Sequence, residues 1–235
     1  MYGYGFGYGL GGFDPLYLVV ILVSLALGGL TQAYINATYR RWSHVRSDGA
    51  TGAEVARRML DEQGCPHVGI RGVSGYLTDH YDPRDNNLYL SEDNRLGGSV
   101  ASVAVACHEA GHAVQRQRGY AFMQLRSALV PAVNVSQNVW SVLLVLGLVL
   151  NLAGLMRLAI VLFALTVLFQ LVTLPVEIDA SRRAVAYIES SGMSEVNVRG
   201  ARRVLTAAAL TYVAAALMSI IQLVYLLLRV QRREE

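Results

Sequence analysis

The sequence predicts an α-helical integral membrane protein with four transmembrane helices and one small α/β domain. Three observations carry that prediction. Four apolar blocks are each about as long as a bilayer is thick. A single stretch of mixed, charged sequence lies between the first two blocks. That stretch ends in His-Glu-x-x-His, on a segment that itself reads as a helix. Composition agrees: hydrophobic residues make up 54% and charged residues only 16%, too few to cover an ordinary soluble surface. A chain of 235 residues is also too short to wrap four such helices in protein.

Residues 1–14, MYGYGFGYGLGGFD, are low in complexity and uncharged until Asp14. The tyrosines suit a headgroup interface, and no chemistry is assigned to them. Residues 15–35 form the first span, with no charge from Pro15 to Tyr34. A cleaved signal peptide is excluded, because no basic region precedes the block and Arg40-Arg41 follows where a small-residue cleavage site would stand. Residues 36–130 form the α/β domain. Thr51-Gly52-Ala53-Glu54 matches a capping box that opens a helix ending at Gly64. His67–Arg71 and Gly75–Thr78 read as short strands, and Leu88-Tyr89-Leu90 alternates like a third. Residues 131–175 form a hairpin of two spans, 131–152 and 157–175, with Pro175 closing the second. Residues 176–203 return to the polar side, 204–228 are the fourth span, and 229–235 are a charged tail.

The net charge of +3 is less informative than its placement. Arg40, Arg41 and Arg46 follow the first span, and Arg182, Arg183, Arg199, Arg202 and Arg203 lie between the third and fourth. Positive flanks stay in the cytoplasm, so both regions are expected there; Arg229, Arg232 and Arg233 beyond the fourth span go against the rule. Arginines scattered in this way mark topology and do not make a nucleic-acid patch, so no nucleic-acid partner is expected. Two cysteines, Cys65 and Cys107, are too few for a disulfide framework. Cys107 points about 100° away from His108 on a helix and reads as core packing.

The run Val105–Gln115, VACHEAGHAVQ, carries the chemistry. Residues four apart on a helix share a face, so His108 and His112 can both reach one metal ion. Glu109 lies about 100° round, where it can serve as general base to a water that the metal activates. Given five histidines and nine glutamates, chance predicts on the order of 0.004 such motifs, so accident is a weak rival. Small apolar residues after Gly97-Gly98, a Ser99 cap and a stop at Gly119 make the segment a helix.

A catalytic zinc normally has a third protein ligand. The soluble stretch offers His67, Asp79, His80 and Glu92. Beyond the hairpin, LPVEIDASRRA offers Glu177 and Asp179. Two crossings return the chain to the side it left, so Glu177 is assigned as ligand. Asp179, on another face, fits a partner of a metal-bound imidazole better.

LTDHYDP at 77–83, LYLSEDN at 88–94, VACHEAGHAVQ at 105–115 and LPVEIDASRRA at 174–184 together resemble the YugP-type membrane zinc metallopeptidases of bacteria. The likeness covers nearly the whole chain beyond the Tyr/Gly tail. It implies a zincin-like (gluzincin) catalytic domain in a bacterial inner membrane and one Zn2+ per chain held by His108, His112 and Glu177. It also implies Glu109 as the catalytic acid/base and a protein or peptide as substrate. A more distant likeness is to HtpX-type membrane proteases, which carry Glu-x-x-x-Asp; here the fourth position after Glu177 is Ser181.

The expected reaction is therefore peptide-bond hydrolysis by zinc-activated water, on the cytoplasmic side of the membrane. For the oxyanion the sequence offers His80, Tyr81, Tyr89 and Arg183 without choosing among them. The strand at 88–91 offers an edge for an extended substrate. Two alternatives compete: an intramembrane-cleaving zinc protease, and a zinc-binding membrane scaffold without catalysis. The apolar run Val100–Val114 is too short to span a bilayer, and binding alone has no use for Glu109.

Overall fold

A computed structural model describes residues 14–48 and 50–234. The Tyr/Gly-rich tail before Asp14, and Glu235 at the end of the charged tail, lie outside the described residues. Among the described residues the order is α1 (Pro15–Ser43), α2 (Gly52–Glu62), β1 (Gly69–Val73), β2 (His80–Asp82), β3 (Asn87–Ser91), α3 (Glu92–Leu96), α4 (Val100–Gln117), α5 (Ala121–Val149), α6 (Ala153–Ser190) and α7 (Glu195–Glu234).

Four of these, α1, α5, α6 and α7, are long and apolar enough to cross a membrane. They pack in the order α5, α6, α7, α1. Each overruns its apolar block, and the reason is packing. Tyr39 and Trp42, at the far end of α1, are buried in the core of the α/β domain. Pro175, expected to close a span, instead lies inside α6. Beyond it Val176, Ala180, Ala184 and Ile188, spaced four apart, are completely buried. That stripe holds the helix together across a proline that removes only one backbone bond.

The helix starts follow their capping residues. Asp14 accepts the Leu16 amide at 3.0 Å ahead of Pro15. Thr51 and Glu54 form the reciprocal capping box of α2. Ser99 accepts the Ser102 amide at 3.0 Å and opens α4.

The sheet departs from expectation. Its order is β1-β3-β2, with β1 parallel and β2 antiparallel to β3. The second strand is His80–Asp82 and not Gly75–Thr78, because Gly75 (φ +113°) and Leu77 (φ +55°) bend the chain first. Asp79 pins that bend, accepting from the Ser91 amide at 2.7 Å and the Asn94 side chain at 2.8 Å. Because β3 is paired on both sides, it has no free edge for a substrate strand, contrary to the expectation for 88–91. Only β1 and β2 present open edges.

Helix α4, which carries the His-Glu-x-x-His motif, is buried along most of its length between α2, α6 and α7. At Gly111 its backbone meets that of α6: a Cβ there would stand 2.8 Å from the Ala180 carbonyl oxygen. The middle of the His-Glu-x-x-His motif is therefore where the domain and the hairpin touch.

Candidate metal centre

Three side chains converge at that contact. His108 and His112 come from α4 and Glu177 from α6, and their ligand atoms all lie within 4.8 Å of one another. Glu177 Oε2 is 3.2 Å from His108 Nε2 and 3.6 Å from His112 Nε2. Two ligands each 2.0–2.1 Å from a tetrahedral zinc stand about 3.3 Å apart. Both Glu177–histidine separations are thus close to the spacing of zinc ligands, and the three donors are of types that zinc takes.

The electrostatics point the same way. Burial disfavours a charged His112, but the Glu177 hydrogen bond and charge, with the charge of Glu109, outweigh it and hold His112 above the usual histidine range. A buried pocket with two carboxylates beside two imidazoles favours a cation.

Each imidazole is oriented from its far side. His112 Nδ1 lies 3.0 Å from Gln115 Oε1. The Gln115 amide nitrogen donates to the Val176 carbonyl at 2.7 Å and to Asp179 at 2.9 Å. Because that nitrogen is committed, the oxygen must face His112, so Nδ1–H donates and the Nε2 lone pair is left for a metal. His108 Nδ1 lies 3.1 Å from Ser181 Oγ, a hydroxyl that can donate or accept there. Gln115 is fully buried and bridges α4 to α6.

Asp179 therefore touches neither histidine. It acts through Gln115 and pairs with Arg183 at 2.6 Å. Ser181, at the position where HtpX-type proteases carry Asp, is the residue beside the far nitrogen of His108. Gln115 and Ser181 were legible in principle, three residues from His112 and four from Glu177 on continuous helices. Arg126, 4.0 Å from Glu177 Oε1, and Tyr212, whose hydroxyl reaches the Glu177 carboxylate, come from α5 and α7 with no spacing to announce them.

The other candidates lie elsewhere. His80 Nδ1 is 2.8 Å from the Thr78 carbonyl, and its ring stacks on Tyr89. Tyr89 donates to Asp85, Tyr81 to Asn86, and Arg183 to Asp179. Asp79 is committed to β3 and α3. Among the described residues, the group of His, Cys, Asp and Glu able to hold a metal is His108, His112 and Glu177. Cys107 is fully buried away from it, and burial pushes its thiol up to about 12.

The centre lies at the end of a membrane-length segment. Glu177 lies twenty positions after Arg157 on α6, about 30 Å of helix and the thickness of a bilayer's hydrocarbon core.

Comparison with known proteins agrees with this geometry. Residues 17–231 match the family described as "Putative neutral zinc metallopeptidase". The chain is 43% identical over 210 residues to "Putative membrane protease YugP" of Bacillus subtilis (strain 168), covering 88% of this chain and 93% of that protein. No solved structure matches the chain.

Proposed function

The chain belongs to this neutral zinc metallopeptidase family, and from that premise we propose that it is a membrane-embedded zinc endopeptidase with Glu109 as general base. The observation that carries the proposal is the convergence of His108, His112 and Glu177, with ligand atoms within 4.8 Å of one another, beside the buried Glu109.

His108, His112 and Glu177 would hold one zinc per chain, in a gluzincin-like site. Zinc bound there would polarise the scissile carbonyl and lower the pKa of a water. Glu109 accepts that water's proton and passes it to the leaving amine. Gln115 keeps His112 in the tautomer that ligation needs, and Ser181 holds the far nitrogen of His108. Glu109, His112 and Glu177 are all buried, and low-dielectric surroundings strengthen each of these interactions.

The α6 spacing supports cleavage at the membrane boundary over cleavage within the bilayer. The arginine flanks support a cytoplasmic site in a bacterial inner membrane, with residues 36–130 and 176–203 on one side and the turn after α5 on the other. The substrate is a protein or peptide, and the bilayer is the other partner.

Zinc content and casein or peptide cleavage, compared between the wild type and Glu109→Gln, test the proposal. The variant should retain stoichiometric zinc and lose about 10²-fold or more in rate. Near-normal cleavage by the variant would remove Glu109 from the mechanism, and zinc binding without any cleavage by the wild type would make the protein a scaffold. Cysteines placed at Ser47, Asn151 and Ser191, in a background lacking Cys65 and Cys107, test the topology. An impermeant thiol reagent should label only position 151 on intact cells.

A further inference from the structure

Hydrolysis of a peptide needs donors for the carbonyl oxygen as it takes up negative charge. The four groups that the sequence offers for this have their partners outside the three-residue centre: His80 at the Thr78 carbonyl, Tyr89 at Asp85, Tyr81 at Asn86 and Arg183 at Asp179. Two groups from the membrane helices stand beside the centre instead. On α5, Arg126 Nη1 is 4.0 Å from Glu177 Oε1, and its Nε is buried with no hydrogen-bond partner. On α7, the half-buried Tyr212 brings its hydroxyl to the Glu177 carboxylate, within electrostatic range of Glu109 and Arg126.

We propose that Arg126 and Tyr212 form the oxyanion-binding side of the centre and are catalytic residues, a proposal that rests on the hydrolase function. Glu177 Oε2 faces the two imidazoles while Oε1 faces Arg126. Arg126 is thus at the carboxylate oxygen that the histidines leave free, and Tyr212 meets the same carboxylate. A guanidinium keeps its charge at every working pH and offers five donors; here Nε is buried while Nη1 faces the carboxylate. The tyrosine hydroxyl adds a neutral donor that needs no proton transfer.

In the step they serve, the oxygen of the activated water bonds to the carbonyl carbon while its proton goes to Glu109. The carbonyl π pair moves onto oxygen, where Tyr212 O–H and Arg126 hold it. The C=O then re-forms, the C–N bond breaks, and its electron pair leaves on nitrogen, which takes the proton from Glu109. Arg126 is suited to bind and not merely to brace. Its contact with Glu177 is too long for a closed ion pair, and 30% of its side chain is open to an incoming substrate.

Full-length protein in nanodiscs, as wild type, Tyr212→Phe, Arg126→Met and Arg126→Lys, provides the test through three readouts. These are kcat and KM on a peptide, zinc Kd by chelator competition, and Kd for a phosphinic peptide, whose tetrahedral anion mimics the charged oxygen. Tyr212→Phe and Arg126→Met should each lower kcat by about 10²-fold. Phosphinic-peptide affinity should weaken at least about tenfold, with zinc Kd within about threefold of wild type. Arg126→Lys should recover part of the loss, because it keeps the charge but not the fork. Zinc affinity falling in step with kcat would show that the pair only holds Glu177, and unchanged kcat and phosphinic affinity would also overturn the proposal. If the wild type hydrolyses nothing, the hydrolase function fails on its own. The phosphinic-peptide Kd of the zinc-loaded protein still decides the donors: tenfold weaker in Tyr212→Phe keeps them, unchanged sinks them.

Discussion

The candidate centre has two halves built on different principles. The α4 half is local: His108, Glu109, His112 and Gln115 fall within eight residues of one buried helix. The membrane half is assembled. Glu177 and Ser181 arrive on α6, Arg126 on α5 and Tyr212 on α7, after the chain has left and returned. The local half is placed by helix periodicity alone. The assembled half is placed only when the hairpin packs against the domain, which happens where Gly111 lets the two backbones meet. A mutation in the first half should therefore change chemistry within an intact scaffold. One at the seam should uncouple the halves.

The strongest test of that division is removal of the ligand from the membrane half. Glu177→Ala should weaken zinc binding by more than about 10²-fold, since one of three ligands and the centre's main negative charge both go. Zinc Kd by chelator competition measures it. Wild-type affinity in that variant would mean that α4 finds its third ligand within the domain, and the comparison would collapse.

Widening the seam is next. Gly111→Val places methyl groups against the Ala180 carbonyl, and overpacking of this kind costs about 1–3 kcal/mol. It should lower zinc affinity together with the thermal midpoint, although it touches no ligand. An unchanged zinc Kd would show that the halves tolerate separation.

Gln115→Ala should act more narrowly, reducing zinc affinity about 10–100-fold, as loss of an imidazole's partner does elsewhere. Gln115→Glu should recover part of this, because it keeps the acceptor for His112 Nδ1–H. A variant in which neither change moves zinc Kd would make Gln115 a packing residue only. The smallest effect is expected at Asp179→Ala, which acts on His112 only through Gln115. A loss exceeding that of Glu177→Ala would transfer the ligand role to Asp179.

Membrane class, four helices long and apolar enough to span, and the helix that carries His108 and His112 were all legible from the chain. Each is written in a period or a block length that needs no partner: twenty apolar residues, a four-residue histidine spacing, a cap at Ser99. Glu177 was legible for a related reason, since counting two crossings places it back on the side of His108. The failures share the opposite cause. Pro175 reads as a stop until the stripe Val176, Ala180, Ala184, Ile188 is seen to bury against the domain, and β3 reads as a free edge until β1 and β2 flank it.

Arg126 and Tyr212 are the clearest case. By sequence one is a boundary arginine, the other a tyrosine in an apolar helix, 86 positions later. Only the packing of α5, α6 and α7 sets both beside Glu177. Local periodicity determines which face a residue occupies on its own helix. Which faces then meet depends on burial and steric fit between segments distant in the chain, as at Gly111 against Ala180, and those terms exist only in the folded molecule.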